Sequence, residues 1–128
     1  MNKAFAKVVD IKKSGDLCHL FLTTSSLNLG LVMLTNHFEV GDEITIGFKE
    51  TAVAISKEKT SSLSYSNQIL VSIESITQGE ILTKVVGKSI KEELELTSVI
   101  TANSAKRLEL KVGDEVTFLV KATDMFVM

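Results

Sequence analysis

The chain has no proline and no tryptophan, and only one tyrosine and one cysteine in 128 residues. Each shortage narrows what it can do. A single cysteine, Cys18, rules out an internal disulfide framework and suits a reducing compartment. One Tyr and no Trp leave no dense aromatic run on which bases could stack. The formal charge is −2, so the basic imbalance of a general nucleic-acid binder is missing as well. No stretch of 18 apolar residues exists, and Met1-Asn2-Lys3-Ala4-Phe5 leads into no long apolar run, so neither membrane insertion nor export is expected. A soluble, cytoplasmic protein follows as the expectation. Its 45% apolar and 23% charged residues are ordinary for a globular chain.

Without proline, turns must be made from Gly, Asn, Asp and Ser. These residues punctuate short alternating runs at regular intervals, the pattern of an all-β sandwich or barrel. The sequence also repeats itself. Val40-Gly41-Asp42-Glu43-Ile44-Thr45 reads almost as Val112-Gly113-Asp114-Glu115-Val116-Thr117. Downstream, Lys49-Glu50-Thr51 matches Lys121-Ala122-Thr123, and Val53-Ala54-Ile55 matches Met125-Phe126-Val127, at the same offset of 72. Upstream, Asn2, Val8 and Ile11 match Asn67, Ile73 and Ile76 at an offset of 65. Two copies of one supersecondary unit, related by a pseudo-twofold, are therefore expected.

Each copy reads as five strands. In copy two these fall at roughly 67–77, 79–87, 92–100, 115–121 and 124–128, from the alternation of residues such as Ile69, Val71 and Ile73 or Val116, Phe118 and Val120. A five-stranded antiparallel unit with a short helix between strands three and four is an OB-like barrel. One such unit is close to the lower size limit for a stable core, so two packed together make physical sense. The expected units span 1–56 and 64–128, joined by the polar, Ser-rich segment 57–63.

The difference in offset means copy two carries about seven more residues before its Gly-Asp turn. They fall in Thr101-Ala102-Asn103-Ser104-Ala105-Lys106-Arg107-Leu108. Ser104 is a good helix N-cap, with Ala105 to Leu108 as one helical turn and Leu108 and Leu110 covering the barrel bottom. On that reading Lys106 and Arg107 occupy the first turn, where the helix dipole disfavours cations. An anion supplied from outside would account for them, held by the N–H groups of Ala105 and Lys106, the Ser104 hydroxyl and the Lys106 ammonium. Ser61-Ser62-Leu63-Ser64-Tyr65-Ser66-Asn67-Gln68 is a second run of neutral donors, or simply linker and strand start. A fully ionised tetrahedral dianion only accepts hydrogen bonds, so a cage of hydroxyls, amides and a Lys suits it.

Little else points to chemistry. Cys18 and His19 are adjacent in a strand and face opposite sides, and His37 is isolated, so no zinc spacing arises. Asp42-Glu43 and Asp114-Glu115 recur at equivalent turns, with Gly41 and Gly113 supplying positive φ, which marks a structural role. Without a triad, acid–base pair, P-loop or dinucleotide fingerprint, the chain is not expected to be an enzyme.

Taken together, Ser64-Tyr65-Ser66-Asn67-Gln68, Val71-x-Ile73-x-x-Ile76-x-x-Gly79, Thr101-x-x-Ser104-Ala105-Lys106-Arg107-Leu108-x-Leu110-x-Val112-Gly113-Asp114-Glu115-Val116 and Val120-Lys121-Ala122-Thr123-Asp124 resemble the molybdenum-pterin-binding (molbindin) family, also called the Mop or TOBE domain. Residues 2–56 resemble a degenerate second copy. The resemblance implies tandem OB-like barrels, a homo-oligomer (trimer or dimer) and binding of molybdate or tungstate at subunit interfaces. It implies oxyanion ligands at Ser64, Ser66 and Asn67 from one loop and at Thr101, Ser104, Ala105 and Lys106 from the other, with no metal held directly by side chains. Ser66 stands where the family usually has Arg, which removes a cationic, bidentate donor. Copy one keeps Asn2 but lacks the preceding Ser-x-Arg and the Ser-Ala-Lys turn. The implied role is storage, buffering or delivery in molybdenum homeostasis; the alternative is a regulatory or scaffolding module acting on the ATPase of an oxyanion transporter.

Overall fold

The computed structural model describes residues 1–34, 37–58 and 62–128. Thr35 and Asn36, before the first Gly-Asp turn, and Lys59, Thr60 and Ser61 of the expected linker lie outside the described residues. Copy one contributes β1 (Asn2–Ser14), β2 (Leu17–Thr23), β3 (Asn28–Leu34), β4 (Glu43–Phe48) and β5 (Ala54–Ser56). Copy two contributes β6 (Asn67–Gln78), β7 (Leu82–Ser89), β8 (Glu95–Thr101), the helix α1 (Ala102–Arg107), β9 (Glu115–Val120) and β10 (Phe126–Val127). The alternation read from the sequence is the alternation of burial. Ala4, Ala6 and Val8 point inward from β1, while Lys3, Phe5 and Lys7 point out. Ile69, Val71 and Ile73 repeat this on β6.

The strands form two five-stranded antiparallel sheets, ordered β10-β4-β1-β2-β3 and β5-β9-β6-β7-β8. The expected architecture of two small five-stranded units holds, with one difference. Each copy lends its last strand to the other. Ala54–Ser56 pairs with Thr117–Leu119 of β9, and Phe126–Val127 pairs with Ile46–Gly47 of β4. A short 3-10 turn precedes each exchanged strand and carries the chain across: Glu50–Ala52 packs on β8, and Ala122–Asp124 packs on β3. The interior is correspondingly continuous, and a single cluster runs from Ala4, Leu20 and Phe48 to Ile69, Leu96 and Phe118.

The pseudo-symmetry reaches fine detail. The register of β1 shifts between Val8 and Asp10, and that of β6 between the matching residues Ile73 and Ser75. Gly41 and Gly113 have φ of +101° and +94°. At that conformation their N–H groups donate to Val8 O and Ile73 O, each at 2.8 Å. Asp42 and Asp114 close the same turns, their Oδ2 atoms accepting from Glu39 N at 2.9 Å and Lys111 N at 3.0 Å. "Val-Gly-Asp-Glu" is therefore a structural corner in both copies.

A further tie joins the copies through loops. Glu92, between β7 and β8, accepts from the Ser26 hydroxyl at 2.7 Å, from Ser26 N at 2.9 Å and from the Thr24 hydroxyl in the β2–β3 turn. Partial burial pushes the Glu92 carboxyl up, but the hydroxyls of Ser26 and Thr24 and the Ser26 amide outweigh it, and the net direction is below the ordinary range. A depressed folded pKa gives stability that is complete above the unfolded value of about 4.3 and lost as pH falls through the lower folded value. Glu92→Gln should cost roughly 1.5 kcal/mol at neutral pH, the low end for hydrogen bonds to a charged group because the site is partly solvated. In acid the difference from the parent chain should vanish, which denaturant melts at pH 7 and below pH 4 would check.

Candidate oxyanion site

Two donor-bearing segments make up the expected site. The second departs from the sequence reading. Thr101, not Ser104, caps the helix: its side chain accepts from Ser104 N at 3.1 Å and its φ and ψ are −67° and 147°. The helix thus begins about three residues earlier than expected. Lys106 and Arg107 fall in its last turn, where the dipole favours cations. Neither cation is misplaced, and their position calls for no external anion. The N–H groups of Ala105 and Lys106 also lie past the free first turn, within the helix's own ladder. Thr101 Oγ1 donates to Ser104 Oγ at 2.9 Å, and Arg107 approaches the same oxygen at 3.4 Å. Lys106 is exposed, Ser104 half-buried and Ala105 buried, its methyl in the shared interior with Leu110. Leu108 packs against that interior, as expected of a residue covering the barrel end.

The first segment, Ser64 to Asn67, leads into β6. Ser64 and Ser66 are exposed, whereas Asn67 is 0% exposed. The Asn67 carboxamide grips one residue of copy one at both ends: Oδ1 accepts from Gly30 N at 2.7 Å, and Nδ2 donates to Gly30 O at 2.9 Å. Asn2 does the same to Thr97 of copy two, Oδ1 accepting from Thr97 N and Nδ2 donating to Thr97 O, both at 2.8 Å. Gly30 and Thr97 are equivalent residues of β3 and β8, paired with Phe21 and Val86 respectively. The two asparagines thus form reciprocal clamps across the pseudo-twofold. This role was not read from the sequence, although the match of Asn2 to Asn67 was its signal.

Within one chain the two segments do not meet. Asn67 opens β6, whereas Thr101 closes β8 opposite Leu82, beside the far end of β6 at Gln78. Roughly 35 Å of strand contour separates those ends at about 3.3 Å per residue. Instead, each donor segment lies against copy one. Ser66 sits over Gly30 of β3. Ser104 and Arg107 share a shallow depression with Ala54 and Ile55 of β5. Among the described residues copy one has no α-helix between β3 and β4, and Met1 and Asn2 align with Ser66 and Asn67 of copy two. Each chain accordingly carries two separated donor-bearing segments. Among the described residues no group of three or more His, Cys, Asp or Glu side chains could hold a metal ion directly.

The sequence model for the TOBE domain matches residues 63–127. The chain belongs to the TOBE-domain family. No curated protein sequence matches it. Among solved structures, this TOBE protein is similar along nearly its whole length to ModG, a cytoplasmic molybdate-binding protein crystallised with molybdate bound. The TM-score is 0.93 at 19% identity, covering 98% of this chain and 94% of that one. It is also similar to MopII from Clostridium pasteurianum in an apo form, with a TM-score of 0.50 at 30% identity, covering 52% of this chain and 98% of that one. The first likeness spans both copies and shows a shared tandem fold; the second corresponds to about half of this TOBE chain. No helix is long and apolar enough to cross a membrane among the described residues.

Proposed function

We propose that this protein binds molybdate or tungstate between chains, as a homo-oligomeric reservoir that stores, buffers or delivers the oxyanion. The observation that carries the reading is the separation of two donor segments to opposite ends of one sheet. A second chain that brings its Thr101-to-Lys106 helix to the first chain's Ser64-to-Ser66 loop would close a cage of hydroxyls and one ammonium. Such a cage donates at every position and presents no carboxylate, the complement of a fully ionised tetrahedral dianion. Membership of the TOBE family and the likeness to a molybdate-bound relative support the same ligand. In this reading Ser64, Ser66, Thr101, Ser104 and Lys106 touch the ion. Asn67 and Ala105 hold the two segments in place from beneath, since one carboxamide is committed to Gly30 and one methyl is buried.

Calorimetry with molybdate, tungstate and sulfate, alongside the solution mass of the same sample, tests the proposal. Saturable heat with the metal oxyanions from an oligomeric sample is expected; no heat at tens of micromolar protein would end it. Lys106→Ala should weaken binding by about 1.5–3 kcal/mol, the range for a hydrogen bond to a charged group. Its melting temperature without ligand should not move, because the ammonium is exposed and no ion pair holds it among the described residues.

A further inference from the structure

The pseudo-twofold allows each half of the molecule to be compared with the other, and the surroundings of the two asparagine clamps differ in charge. Beside the Asn2–Thr97 clamp lies a carboxylate. Glu50, opening the 3-10 turn that packs on β8, accepts from the Met1 ammonium at 2.6 Å. That ammonium holds the Glu50 carboxyl below its usual range, and Lys84 on β7 adds to the effect through space. This half therefore holds a negative group among positive ones.

Beside the Asn67–Gly30 clamp the matching positions carry different residues. Val8 pairs with Leu22 and Ile73 with Gly87, so β2 maps onto β7 and His19 stands where β7 has Lys84. Ala122 stands where copy one has Glu50, in a 3-10 turn that packs on β3 as its counterpart packs on β8. Ser66 stands where copy one has Met1. Donor side chains are kept at two of these positions, as His19 and Ser66, while the carboxylate is replaced by a methyl. His19 Nε2 lies 3.0 Å, and the Ser66 Cβ 3.7 Å, from the point a Gly30 Cβ would occupy, so both side chains border one niche that only glycine leaves open. The His19 ring is fixed there by stacking on Phe21, with centroids 4.1 Å apart and planes inclined by 17°. Among the described residues no carboxylate forms an ion pair with His19. Asp124, the acid of the same 3-10 turn, is exposed and lies two residues beyond Ala122.

We infer that His19 is an anion-contacting residue of the Ser64-to-Ser66 half-site, and that Glu50 is a built-in anion occupying the equivalent place in the other half. The inference rests on the oxyanion reading above and adds to it a residue from the copy whose own loops are depleted. His19 reaches the ion through an imidazole N–H, which it can offer in either protonation state when the tautomer suits. Ser66 offers one neutral hydroxyl, and His19 adds a second donor, an imidazole N–H, at the same spot from β2. On the other side, the Glu50 carboxylate already pairs with the terminal ammonium, so an external anion meets a negative group there.

The test is molybdate calorimetry on the full chain, with circular dichroism on every variant. His19→Gln should weaken molybdate binding about tenfold, and His19→Lys, which installs the residue found across the pseudo-twofold, should restore it. Glu50→Ala should add a molybdate equivalent per chain by removing that carboxylate, and Ala122→Glu should compete with the ion and lower affinity at the remaining site. If the parent chain binds molybdate and His19→Gln binds it equally well, His19 is not a contact and this inference falls while the oxyanion reading stands. Unchanged stoichiometry in a folded Glu50→Ala overturns the assignment of Glu50. No molybdate binding by the parent chain defeats the oxyanion reading itself. Should His19→Gln fail to fold, His19→Lys against the parent and the Glu50→Ala stoichiometry still decide.

Discussion

Asn67→Ala should destabilise the protein by about 2–4 kcal/mol, because it orphans two buried main-chain groups at once. The carboxamide is fully buried and is the partner of both Gly30 N and Gly30 O. Leaving one buried polar group unsatisfied costs about 1–3 kcal/mol. Alanine also leaves a space where the amide stood. Asn67→Asp should be no better, since an ionised carboxylate only accepts and its oxygen would oppose the Gly30 carbonyl. Asn2→Ala is expected to cost less, because its bonds to Thr97 are only partly buried. Denaturant melts of the three variants measure this ordering. A cost for Asn67→Ala below that for Asn2→Ala would count against reciprocal clamps of unequal burial.

The second large effect comes from the end of the chain. Removing residues 125–128 should weaken the sheet of copy one, not that of copy two. Met125 is 3% exposed within the shared interior, and Phe126 and Val127 pair with β4. Phe126 and Met128 also cover the place where a Gly47 side chain would be. Loss of the Met125 side chain alone costs about 2–5 kcal/mol by the usual large-to-small range, and the strand pairing adds to it. Hydrogen exchange locates the damage. Protection should fall first in β4 and in the Asn2–Lys7 half of β1, which β4 holds in register. If each copy kept its own last strand, the loss would appear in β9 instead.

That exchange marks the limit of what the sequence can say. The repeat, the strands and their inward faces were legible because alternation is a local property, set residue by residue by the pleat. Which copy a terminal strand closes is not local. Ala54–Ser56 would bury much the same side chains against β4 as against β9, so the pattern is silent on the choice. The start of α1 was missed for a related reason. Thr101 ends β8 and caps the helix with the same extended backbone, and nothing in its residue type separates the two roles. Once the helix moved, the supposed conflict between Lys106 and the dipole disappeared. Asn67 was legible as a special residue but not as a clamp, because a carboxamide can hold a ligand or a main chain equally well. Ser64 and Ser66 are exposed at one end of the sheet and Lys106 at the other.

The crossed strands also bear on how the molecule responds to dilution. A chain carrying one copy that used the same crossed pairing would have to borrow its last strand from a second chain, and its folded fraction would rise and fall with concentration. Here the lender is tethered to the borrower, so the partner is present at an effective concentration set by the short connecting segment and not by expression level. Folding of the paired barrels is thereby separated from assembly of chains. Scarce protein would still be folded protein.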